Sequence, residues 1–60
     1  MVTGLQQRPV EVRMHDGTWV PGLLQATHQV DGTWKGFVRY RERTTAMHFR
    51  WFEEEQVRGQ

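Results

Sequence analysis

The chain has no cysteine, which excludes a disulfide framework, thiolate metal sites and a cysteine nucleophile together. Serine, asparagine and isoleucine are also missing, so a serine nucleophile is excluded as well. Lysine occurs once, at Lys35, against seven arginines. Codon usage in a GC-rich genome accounts for that skew as well as function does. No apolar run approaches the roughly 20 residues of a membrane helix. The N-terminus lacks the charged-then-apolar pattern of a signal peptide, so a cytoplasmic location is expected. The net charge of +1 is far from the strongly basic balance of a dedicated nucleic-acid binder.

What is present is a small set of large side chains. At 60 residues the chain buries only about 60% of the surface that its unfolded form exposes. One modest core must therefore come from Trp19, Trp34, Phe37, Tyr40, Phe49, Trp51 and Phe52 together with the valines and leucines. Apolar residues alternate with period two at Val10, Val12 and Met14; at Val20, Leu24 and Ala26; at Trp34, Val38 and Tyr40; and at Met47, Phe49 and Trp51. That period predicts four strands with these residues turned inward, and the aromatic and β-branched content supports strands over helices. Residues 1–8 read as an arm, 9–58 as one domain and 59–60 as a tail.

Asp-Gly-Thr-Trp occurs twice, at residues 16–19 and 31–34, each time where one strand must turn into the next. A two-residue Asp-Gly turn sets Leu24 opposite Arg39 and puts neighbouring apolar sets on opposite faces, which the register forbids. Three-residue loops avoid that conflict. The expected loops are His15-Asp16-Gly17 and Val30-Asp31-Gly32, each with glycine at positive φ. They pair Val12 with Val20, Val10 with Gly22, Gly22 with Tyr40, Leu24 with Val38 and His28 with Trp34. Gly22 and Gly36, inside strands, mark expected bends. The acidic stretch Glu53-Glu54-Glu55-Gln56 suits one helical turn leading into a short fifth strand at Val57-Arg58.

Three segments resemble the Tudor branch of the SH3-like barrels: residues 16–24, Gly36-Phe37-Val38-Arg39-Tyr40, and Arg50-Trp51-Phe52 with Val57-Arg58 after the acidic turn. The resemblance covers roughly residues 9–58 and implies an all-β, five-stranded SH3/Tudor-like barrel with a short helical turn before its last strand. Many members hold a methylated cation in an aromatic cage. Tyr40 matches a cage position, whereas Met14 and Val20 stand where other members place rings. Residues 41–45, Arg-Glu-Arg-Thr-Thr, stand where the family favours glycine and polar or acidic residues.

The same register places Lys35, Phe37, Arg39 and Arg41 on the outer face of the third strand. His48, Arg50 and Phe52 join them if the third hairpin has an even-numbered loop, and Arg13, Trp19, Pro21 and Leu23 share that exterior. Arginines interleaved with rings suit an apolar-centred protein interface with a basic rim. They equally suit stacking of bases flanked by phosphate contacts. The expected binding residues are Trp19, Leu23, Lys35, Phe37, Arg39, Tyr40, Arg41 and Arg50. His15, His28 and His48 lack ligand spacing, so no metal site is expected. With no serine, no cysteine and no buried-looking acid beside an evident base, no catalytic residue and no cofactor is expected. The chain is read as a non-catalytic binding or adaptor module that docks a protein partner or itself, the alternative being RNA or another single-stranded nucleic acid.

Overall fold

A computed structural model describes residues 7–41 and 46–59. The protein is all-β, with β1 (Arg8–Arg13), β2 (Trp19–Val30), β3 (Thr33–Arg41), β4 (Met47–Glu53) and β5 (Val57–Gly59). A single 3-10 turn, Glu54–Gln56, joins the last two strands. All five lie in one antiparallel sheet of order β4-β3-β2-β1-β5. The sheet does not close on itself, and β4 and β5 are its edges. Of the expected N-terminal arm, residues 1–6 lie outside the described residues, as does Gln60 of the tail.

The inner face carries the core of Val10, Val12, Leu24, Val38, Tyr40 and Phe52, with Met14, Val20 and Val57 packed against it. Val12, Val38 and Phe52 are fully buried, and burying each such side chain contributes about 1.5 to 3 kcal/mol. The 3-10 turn is tied to this body at two points. The backbone N–H of Trp34 donates to Glu54 Oε1 at 3.0 Å. The N–H of Glu53 donates to Gln56 Oε1 at 3.2 Å, which satisfies a donor at the turn's own start.

The first hairpin has the expected form. Gly17 N–H donates to Met14 O at 3.0 Å and Met14 N–H to Thr18 O at 2.8 Å, closing a His15-Asp16-Gly17 loop with Gly17 at φ 87°. Val12 pairs with Val20, and Val10 with Gly22.

The second hairpin departs from the expectation. Val30 pairs with Thr33, leaving a two-residue Asp31-Gly32 turn in which both residues have positive φ, 54° and 81°. That is the backbone of a type I′ turn, whose twist matches its flanking strands. The conflict of register is removed elsewhere, by a bulge between Leu24 and Ala26. Gln25 is the extra residue on β2, so side chains beyond it exchange faces. Leu24 keeps its expected partner Val38, but His28 pairs with Lys35 rather than Trp34. Ala26 consequently turns outward opposite Phe37, and Thr27 and Gln29 turn inward.

The third hairpin also departs. Arg41 pairs with Met47, which leaves five residues in the loop, an odd number. Residues 42–45, including Arg43 beside the expected cage, lie outside the described residues. The odd loop turns His48, Arg50 and Phe52 inward and Met47, Phe49 and Trp51 outward, the reverse of the alternation read from the sequence. Phe52 fills the bottom of the core, edge-on to Tyr40 at 5.5 Å between ring centroids.

Candidate binding face

The outer face of β3 and β4 is built in rows. Cross-strand pairing sets Arg41 beside Met47, Arg39 beside Phe49, Phe37 beside Trp51 and Lys35 beside Glu53. β2 extends the sheet on the far side of β3, with Leu23 next to Arg39 and His28 next to Lys35. The rings of this face are packed against one another. Phe37 stacks on Phe49 at 5.9 Å and tilts against Trp51 at 5.0 Å, and His28 meets Trp51 edge-on at 6.4 Å.

The apolar side chains of β4 on this face meet solvent: Phe49 is 54% exposed, Trp51 49% and Met47 43%. Contiguous apolar surface of this kind marks a contact site more often than scattered single residues do. At the acidic end of the rows, Lys35 Nζ and Glu53 Oε2 are 3.5 Å apart. Both groups are about half exposed, so the pair contributes at most about 1 kcal/mol. Among the described residues, Arg39 and Arg41 make no ion pair and leave the opposite end of the patch basic.

Of the eight residues expected to bind, Leu23, Lys35, Phe37, Arg39 and Arg41 come together on this face. Trp19 shares the face but stands four residues back along β2 in a separate cluster. There the Arg58 guanidinium lies 3.9 Å from the Trp19 ring centroid, Arg13 lies at 5.9 Å, and Arg58 Nε donates to Glu11 Oε1 at 2.8 Å. Tyr40 and Arg50 belong to the inner side. Tyr40 is only 5% exposed, between Phe52 and a stacked His48 at 5.4 Å. Arg50 lies over the Phe52 ring at 4.6 Å.

The sequence reading missed Phe49, Trp51, Met47 and His28 as surface residues. All four were misplaced by parity, of the third loop for β4 and of the β2 bulge for His28. Residue type carried no warning, because the outward set on β4 is the more apolar of its two alternating sets.

A second concavity opens on the inner side, where Arg8, Val10, Leu24, Thr27, Gln29 and Trp34 line a cleft of about 430 Å³. Its apolar wall is tight. A Cβ placed on Gly36 would lie 2.9 Å from Leu24 Cδ1 and 3.2 Å from Trp34 Cζ3. Among the described residues no group of three His, Asp or Glu side chains could hold a metal ion. Comparison with protein-family models, with curated proteins and with solved structures returns no match.

Proposed function

We propose that this chain is a non-catalytic binding module of the SH3/Tudor-like barrel class, and that it docks a protein surface through the outer face of β3 and β4. The observation that carries this reading is the inversion of β4. A strand packed on a core normally turns its more apolar set inward. Here His48, Arg50 and Phe52 face inward while Met47, Phe49 and Trp51 meet water. Covering those rings on a partner recovers about 25 cal/mol for each Å² of apolar surface removed from water. The rigid sheet beneath them keeps the ordering cost of binding low.

The barrel assignment is supported by the strand order, which brings β5 beside β1, and by the 3-10 turn between β4 and β5. Catalysis and a cofactor have no part in this reading.

A second reading, single-stranded nucleic acid, is favoured by Arg39 and Arg41, which stand beside the rings with no ion pair among the described residues. The two differ in their response to salt. Single-stranded RNA and DNA oligonucleotides titrated against the protein, followed by tryptophan fluorescence at two salt concentrations, should give no saturable binding. Micromolar binding that weakens by about 0.7 log units per log unit of salt for each phosphate neutralised would instead establish the nucleic-acid reading.

A further inference from the structure

Resting on the protein-docking reading, we propose that the partner is a second copy of this chain, packed face to face about a two-fold axis running parallel to the strands between β3 and β4. A half-turn about that axis lays β3 of one copy over β4 of the other without moving any residue along the strand. Each outward side chain then faces the type of residue that is its own cross-strand neighbour. Arg39 meets Phe49 of the second copy, Phe37 meets Trp51, and Lys35 meets Glu53, each contact being made twice. A cation over a ring, ring against ring and cation against carboxylate are all attractive.

Other two-fold arrangements of the same face lack this match. An axis across the strands through the Phe37 and Trp51 row sets Arg39 over Lys35 of the second copy. An axis along β3 sets Arg39 on Arg39. Both oppose like charges, which the axis between β3 and β4 avoids while also setting Lys35 on Glu53. A net charge of only +1 adds little long-range repulsion between copies. Sheets packed face to face sit about 10 Å apart with strands within about 30°, which an axis lying slightly oblique to each strand supplies. Two strands from each copy bury on the order of 1,000 Å² in total, the lower end for a specific contact, so association is weak and reversible.

Sedimentation equilibrium from about 10 µM to 1 mM tests the arrangement with two charge variants, Lys35→Glu and Glu53→Lys. Wild type is expected to pass from monomer to dimer within that range. Each variant alone should self-associate about tenfold more weakly, because the facing pair becomes acid on acid or base on base. An equimolar mixture should recover near-wild-type association, since the carboxylate introduced by Lys35→Glu in one chain then faces the ammonium introduced by Glu53→Lys in the other. The ion pair within each chain stays broken on mixing, so recovery reports only the contact between chains. A mixture no tighter than either variant alone overturns the proposed axis, and a wild-type chain monomeric throughout overturns self-association. In that last case the oligonucleotide titration separates the two failures. Silence there leaves the docking reading intact with a different protein partner, and salt-sensitive binding removes both.

Discussion

The two copies of Asp-Gly-Thr-Trp make a controlled comparison, because the same four residues end in two different turns. In the first, Asp16 is the middle of a three-residue loop and its Oδ1 accepts the Thr18 N–H at 3.0 Å. Only Gly17 needs positive φ there. In the second, Asp31 and Gly32 are the whole loop and both take positive φ, while the Thr33 hydroxyl donates to Val30 O at 3.0 Å. The tryptophans part company too. Trp19 goes outside beneath Arg58, and Trp34 goes inside onto Gly36. A turn motif thus fixes that the chain reverses, while the sheet on either side decides how many residues reverse it and where the next ring points.

The sharpest way to strain this comparison is to truncate the two tryptophans. Trp34→Ala should cost about 2 to 3 kcal/mol by opening the wall of the inner cleft. Trp19→Ala should cost about 1 kcal/mol, chiefly its contact with Arg58. Urea denaturation of both variants checks the order, and equal losses would show that the two rings are not on opposite faces.

Smaller differences are expected at the aspartates. Asp31→Val forces a β-branched residue into positive φ and should cost about 1 to 3 kcal/mol. Asp16→Val loses the side-chain hydrogen bond to Thr18 at a position that needs no positive φ, about 1 kcal/mol. Thermal melts of the pair measure that gap, and its closure would argue for a three-residue loop in both hairpins. The glycines should differ least. Gly17→Ala and Gly32→Ala each place a Cβ at positive φ with open space around it, so each should cost about 1 to 2 kcal/mol.

How far the sequence could be read follows from these cases. The pairs that include Val12 with Val20 and Leu24 with Val38 were legible, because each strand there has one clearly apolar face. The β2 bulge was not. The two turns look alike in the chain, and Gln25, the residue that absorbs the difference, resembles any other polar residue on a strand. The outer face was legible on β3, where Phe37 and Arg39 lie outside in the register expected. On β4 it was read inside out, since apolarity pointed to Met47, Phe49 and Trp51 as core.

By itself the sequence determined an all-β chain with reversals near Asp16 and Asp31, a turn at Glu54–Gln56 and a core on Val10, Val12, Leu24 and Val38. Alternation and turn chemistry are local properties, visible within a few residues. Tertiary structure alone decided the parity of β2 beyond Gln25 and of β4 beyond the third loop. On β2 the parity follows from a two-residue turn at Asp31-Gly32 meeting the register of Leu24 with Val38, and on β4 from the packing of Phe52 against Tyr40 in the small core. The rings of Phe49 and Trp51 were left on the other side of the sheet.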